Sequence, residues 1–547
     1  MTIRLLSLAL LFWMTSGCKA RDIASDPVVS PSSSQATVNA PATVNAPATV
    51  NAPASVNAPA PVAAPVTVVA THRLVPEPPA ALGQQPLLWV ALADHLGGRA
   101  TAAPLRLNSA GEALTLIDST GRQWSGPSVV ITWREVPLET PIFLARRIAG
   151  PYASFESAER VAKRWRDQGV KAQVAHPNEW EVWAPKGSAA PEGISVRDWS
   201  GELTATVEPV FQGLDGGYTL KGPVQIQAPQ GLRWKGGVYR GPFRLQADAY
   251  GGWTLVEQVP LEQYLEGVVP HEIGAGSPAA ALQAQTVLAR TWALANSHRF
   301  RIDGYHLCSD TQCQVYSDPR QAGPAVRQAI AATKGRLLSW QGTPISAVYH
   351  ATNGGVMAAG PEAWAMDAAP YLKAEADGDQ AWQVRHRLPL QQSGAVEALL
   401  SDQAGAYGVR HPLFRWRRTL TATEVIRALG HQAAGLKSPL SISVLERGAS
   451  GRVLALQISG AGDAAPVVLK LDRIRRTLRR LPSTLFVITP QASDSWLVVG
   501  GGFGHGAGLS QAGAIDLAWR GWSTEKILAH YYPGTVYGPL PVKQQSP

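Results

Sequence analysis

Residues 259–296, VPLEQYLEGVVPHEIGAGSPAAALQAQTVLARTWALAN, place an acid inside an apolar run and follow it with a helix built of small residues. Glu272 stands among Val268, Val269, Pro270 and Ile273. Ser277 is expected to cap the helix, with Pro278 at the first helical position, where no N–H is needed. Leu282, Leu288, Ala289 and Trp292 then recur at helical spacing. The alanines between them keep the helix slim, so other elements can approach it closely. A carboxyl just before such a helix is placed to lose water. Desolvation raises its pKa and keeps it protonated near neutrality, as a general acid requires. The bland alternative is a local salt bridge from Glu272 to His271 or Arg290.

This run, LEQYLEGVVPHEI followed by ALQAQTVLARTWA, resembles the heart of the SpoIID/LytB family, which groups stage II sporulation protein D with amidase-enhancer homologues. In catalytic members the acid of the GVV-x-x-E segment is the proposed catalytic acid, and it corresponds to Glu272. The resemblance continues in CQ-x-Y at residues 313–316, in the HATNGG turn at 350–355 and in GHGAGLSQAGA at 504–514. It covers roughly 86–139 and 207–540. It implies an α+β fold with a β-rich core around a buried central helix. The substrate-binding residues it implies are Gln314, Tyr316, His350, Thr352, Asn353, His505, Ser510 and Gln511, with Arg290 beside them.

At 547 residues more than one domain is expected. Residues 1–18 read as a secretory leader: Arg4, an apolar run too short to span a bilayer, then Thr15-Ser16-Gly17-Cys18. That ending resembles a bacterial lipobox and makes Cys18 a candidate for lipidation, with ordinary signal cleavage the alternative. Either reading exports the chain to the periplasm or cell envelope. From Ala36 to Pro65 the sequence repeats ATVNAP with small variations. A proline every sixth residue excludes helix, so 19–80 reads as an extended linker.

Residues 140–188 interrupt the family-like core. FLARRIAGPYASFESAERVAKRWRDQGVKAQVAHPNEWEVWA reads strand, helix, strand, strand, with Ser154 or Ser157 as helix cap and Ala158, Val161, Ala162 and Trp165 on one face. It resembles a SPOR module, a small βαβ fold that binds peptide-stripped glycan; a generic α+β insertion is the alternative.

Three cysteines occur in the chain. Cys308 and Cys313, with His306 nearby, suit either a disulfide or a structural Zn²⁺. Gln312 stands where zinc-binding relatives often carry His, and both readings stay open. Residues 502–507 match G-x-G-x-x-A, but no second parallel strand follows, which argues against a dinucleotide fold. The net charge of +9 suits an anionic wall environment. No zinc-finger spacing, basic helix or RNP-type strand points to nucleic acid.

The resemblance implies lytic transglycosylation of glycan strands with a 1,6-anhydro-muramic product and no required cofactor. For a second acid, Glu266 and Asp310 are candidates only. Two rivals remain: a non-catalytic activator of an N-acetylmuramoyl-L-alanine amidase, and a glycan-binding scaffold. Loss of the acid would mark the activator, and Glu272 is present.

Overall fold

The computed structural model describes residues 69–81, 86–213, 216–492 and 494–539, all within one compact unit, residues 66–547. The expected leader, Cys18 and the ATVNAP repeat lie outside the described residues. Among the described residues no helix is long and apolar enough to cross a membrane.

Apolar strands build two large β-sheets. Residues 88–92 of Leu87–Leu96 are buried without a break, Leu88, Val90 and Leu92 in one cluster and Trp89 and Ala91 in another. That strand pairs antiparallel with Trp253–Pro260 inside a seven-stranded sheet, and Leu307–Cys308 adds to its other edge in parallel. The second sheet has nine strands and is organised on two long ones, Ser128–Tyr152 and Val196–Gly213, paired antiparallel. The boundary expected between 139 and 140 falls inside the first of them. The 140–188 segment is therefore an extension of the core sheet, tied to it by backbone hydrogen bonds. Its helix α1, Phe155–Asp167, is capped by Ser154, whose side chain accepts from Ser157 N. Ala158, Val161, Ala162 and Trp165 are buried, and Trp180–Pro185 closes against Ser128–Tyr152.

The linker expected through residue 80 stops earlier. Val69–Ala70 pairs in parallel with Phe143–Leu144, and Glu77 is ion-paired to Arg301 at 2.8 Å.

Two helices fill the space beside the seven-stranded sheet. α2, Leu261–Val269, runs into a π-helical turn at Pro270–Gly274, and α3, Ala279–Ala295, follows. α3 is buried on nearly every side. It packs on α2 and on the helices Pro324–Ala332, Gln511–Trp519 and Thr524–Tyr531. Ala281, Ala284, Ala289 and Ala293 permit those close approaches. Val287 and Leu288 each contribute roughly 1.5–3 kcal/mol relative to exposure. The expected Ser277 cap is not made: its Oγ donates to Ile273 O at 2.8 Å, and Pro278 takes the cap position without a side-chain hydrogen bond. Ser277 thus serves the π-turn.

Residues 415–501 form a second apolar core under two three-stranded sheets, around Trp416, Val425, Leu456, Phe486 and Val498. The strand expected at ISAVYH is paired only at Tyr349–His350, which lies parallel to Leu509–Ser510.

Candidate active site

The π-turn carries Glu272. One extra residue per turn displaces the side chain from a regular helical direction, a distortion common at functional sites. Gly267 in α2 lets the next segment close in: a Cβ there would sit 2.4 Å from the Tyr316 ring and 2.8 Å from Ser317 O. That segment delivers Val315, whose backbone N donates to Glu272 Oε1 at 2.9 Å. Glu272 is half-buried on the wall of a cavity of about 210 Å³, shared with Gln314, Tyr349, Trp364 and His505.

Burial pushes the Glu272 carboxyl up to about 7, against the opposing hydrogen bonds from Val315, Tyr349 and Gln511. A directed chain of donors reaches it. Tyr264 Oη donates to Gln314 Oε1 at 3.1 Å, and Gln314 Nε2 donates to Tyr349 Oη at 2.9 Å. Having accepted there, the Tyr349 hydroxyl keeps its own proton for the neighbouring Glu272, whose charged form it favours. Burial and the neighbouring carboxyl hold the phenol well above its ordinary pKa, so it stays a donor. On the far side Gln511 Nε2 donates to Gln285 Oε1 at 3.3 Å.

The two histidines serve the framework. His505 Nε2 donates to Tyr349 O at 2.8 Å while Nδ1 accepts from Ala507 N at 3.2 Å, which fixes its tautomer. Burial, with Arg475 next, lowers His505 to about 3, so it is neutral. His350 Nδ1 donates to Ala507 O at 3.1 Å, and burial lowers it well below the ordinary histidine value. Gly504, at φ 109°, makes room for it: a Cβ there would lie 2.8 Å from His350 Cβ.

Several expected contact residues are elsewhere. Thr352 and Asn353 are fully buried. Thr352 bridges to Phe503, and Asn353 Nδ2 donates to Asp377 Oδ2 at 2.6 Å. Ser510 caps the helix Gln511–Trp519 through Gly513 N. Tyr316 Oη donates to the buried Glu257 at 2.8 Å. Arg290, 1% exposed, forms a bidentate pair with Glu262 at 2.7 and 2.8 Å and donates to Arg336 O. These residues shape the walls, and none lines the cavity. Polar residues at family motifs read alike whether they touch a ligand or hold a turn.

Cys308 and Cys313 are joined as a disulfide. His306 faces away, with Nδ1 accepting from Trp89 N and Nε2 meeting Pro79 O, both at 2.9 Å. Among the described residues no three His, Cys, Asp or Glu side chains converge as a metal site. The three residues therefore do not make a zinc donor set here. Asp310 accepts from Gln312 N within the same loop. In a Cys18→Ser background, thiol titration of unfolded, unreduced protein should find no thiol; two titratable thiols would contradict the bond. Reduction should cost about 2 kcal/mol of stability.

Residues that sequence reading missed come from α1 and beyond. Phe155 and Glu156 line the cavity with Arg299 and Arg475. Arg299 is ion-paired to Glu156 and lies over the Phe155 and Trp292 rings at 4.5 and 4.8 Å. Burial opposes the Glu156 charge, but Arg299 holds its pKa below the usual carboxylate range. Glu272 is thus the one cavity-lining carboxyl, among the described residues, that is free of an ion pair. Helical amphipathicity placed α1; nothing in the sequence said which cavity its first turn would face.

The profile described as stage II sporulation protein matches residues 249–340, which spans α2, the π-turn and α3. Stage II sporulation protein D of Bacillus amyloliquefaciens is 30% identical over 298 residues, covering 51% of this chain and 74% of that protein. The chain belongs to the stage II sporulation protein D family. The Bacillus subtilis (strain 168) member of that name is 28% identical over 295 residues, covering 51% of this chain and 75% of that protein. The amidase enhancer of the same strain is 28% identical over 298 residues, which covers 50% of this chain but only 40% of the enhancer's own length. A domain of unknown function, DUF8618, matches residues 358–508. In this stage II sporulation protein D relative, the acid-bearing π-turn lies within the family-matched part, and the cavity-lining Arg475 lies within the DUF8618 match.

Proposed function

We propose that this protein is a lytic transglycosylase of the cell envelope that cleaves peptide-stripped glycan strands. The observation that carries the reading is Glu272: an unpaired carboxyl raised to about 7 on a cavity wall, with an ordered donor chain behind it. Protonated Glu272 donates to the glycosidic oxygen between muramic acid and glucosamine, and the bond from C1 to that oxygen breaks. The carboxylate then takes the proton of the muramic C6 hydroxyl as its oxygen bonds to C1 and closes the 1,6-anhydro ring. The acid is regenerated and no water is consumed. An internal nucleophile dispenses with the second carboxylate that inverting glycosidases use to activate water. Such chemistry needs no cofactor. The same reading places the chain outside the cytoplasm, held at the membrane through Cys18, with the 140–188 segment contributing a SPOR-like glycan-binding surface.

The pH dependence tests the acid. Because the Glu272 pKa is raised, the proton-donating form is present below about 7 and is lost above it. The rate constant kcat/KM on stripped glycan should be flat from pH 5.5 to about 6.5 and fall tenfold per pH unit above about 7.5. A rate that rises through this window would assign the group to a base and remove the proposal.

The amidase-enhancer name of one relative favours a second reading, activation of an N-acetylmuramoyl-L-alanine amidase. Incubating peptidoglycan with a partner amidase, with and without this protein, separates the two. Stimulated peptide release that survives Glu272→Gln, with no anhydro ends from this protein alone, would select the activator.

A further inference from the structure

A second, larger groove joins the acid cavity. It has a volume of about 1290 Å³ and shares Gln312, Arg475 and Arg476 with the cavity. That exceeds the roughly 300–1,000 Å³ of small-molecule pockets and suits an extended polymer. One wall is the 140–188 segment, through Tyr152 and Trp180; the other is the 415–501 region.

Its charge is one-sided. Seven arginines line it against two acids, Glu179 and Glu424. Glu424 is already paired with Arg480, and Arg476 with Asp472. Arg427, Arg475 and Arg479 make no ion pair with any described residue. The run IRRTLRRL at 474–481 supplies four of the seven from a short helix, Asp472–Thr477, and the turn after it. Phe503 stands on the groove floor, 44% exposed, held by backbone hydrogen bonds with Thr352 in both directions. Guanidinium forks match carboxylates two bonds at a time, and an exposed aromatic face suits a sugar ring.

We propose that this groove binds the flanking part of a carboxylate-bearing glycan strand, its arginines reading the carboxylates that become free when stem peptides are removed. This rests on the glycan-cleaving reading of Glu272, since the groove shares Gln312, Arg475 and Arg476 with that cavity. An intact strand carries those carboxylates as amides, so none lies on the sugar backbone beside the arginines; its remaining carboxylates sit out on the stems. The groove thereby makes a strand's peptide-free state a condition of tight binding, at residues outside the part matched by the sporulation-protein profile.

The test uses full-length protein carrying Glu272→Gln, so that binding is read without turnover. Stripped glycan strands are compared with the same strands after their carboxylates are converted to neutral methylamides. Free-carboxylate strands should bind at least tenfold tighter at low salt, and the preference should shrink as salt rises. Adding Arg427→Gln and Arg479→Gln, both exposed and unpaired, should reduce the preference about fivefold. Equal binding of the two strands overturns the proposal even if the double substitution fails to fold. So does tighter binding of poly(glycerol phosphate) than of stripped glycan, which would make the groove a phosphate-polymer site. A clear preference from a wild-type protein that yields no anhydro ends would leave the groove assignment standing and remove the transglycosylase reading. Anhydro ends with no preference would do the reverse.

Discussion

Replacing Glu272 by Gln is expected to lower anhydro-product formation by about 10²–10⁴-fold while binding of stripped glycan persists. Gln keeps the shape and can still accept from Val315 N, so the π-turn need not change. It can neither give nor retake a proton. Asp at the same position should also be poor, because a displacement of about 1 Å costs on the order of 10²-fold. Tyr349→Phe removes the hydroxyl that points at the carboxyl and should act through Glu272, so its effect should not add fully to that of Glu272→Gln. Stability gives an independent readout. The raised pKa means that folding favours the protonated acid, so this contribution is complete below about 4.5 and is lost as pH rises through about 7. Glu272→Gln should therefore be the more stable protein above pH 7, by about 1–2 kcal/mol after allowing for partial solvent contact, with little difference below pH 5.

Arg290→Ala should do the opposite: it should destabilise the fold and leave the chemistry alone. The guanidinium is 1% exposed and bound to Glu262, with Thr333 Oγ1 and Arg336 O as further acceptors. Removing one member of such a pair leaves the other uncompensated, at a cost of about 3–5 kcal/mol. Glu262 is 30% exposed, which puts the expected loss near the lower end. A large fall in melting temperature with unchanged KM for the folded fraction is the predicted pattern. A raised KM with full stability would return Arg290 to the substrate-binding set, beside which the family resemblance put it.

These two residues show what the sequence could and could not say. Glu272 was readable because an acid in an apolar run has few cheap fates, and the small-residue helix after it announced burial. Its π-turn was not readable: it depends on Pro270, on the Ser277 hydroxyl bound to Ile273 O, and on the distant Val315 N. Tyr349 went unnoticed beside His350 because strand alternation points neighbours to opposite faces. Here only those two residues are paired, and Tyr349 faces the acid while His350 braces the glycine loop. Thr352, Asn353 and Ser510 were expected at the substrate, whereas their burial and partners make them turn and cap residues. Arg299, Glu156 and Arg475 meet at the cavity from separate elements, and no local pattern encodes that meeting.

The most direct test of the central claim is to digest stripped glycan with wild-type protein in heavy-oxygen water and weigh the new ends. Ring closure by the C6 hydroxyl predicts anhydro-muramic ends that carry no solvent oxygen, formed at a rate that Glu272→Gln abolishes. New reducing ends carrying the heavy oxygen would mean that water is the nucleophile, and would contradict the mechanism derived from Glu272.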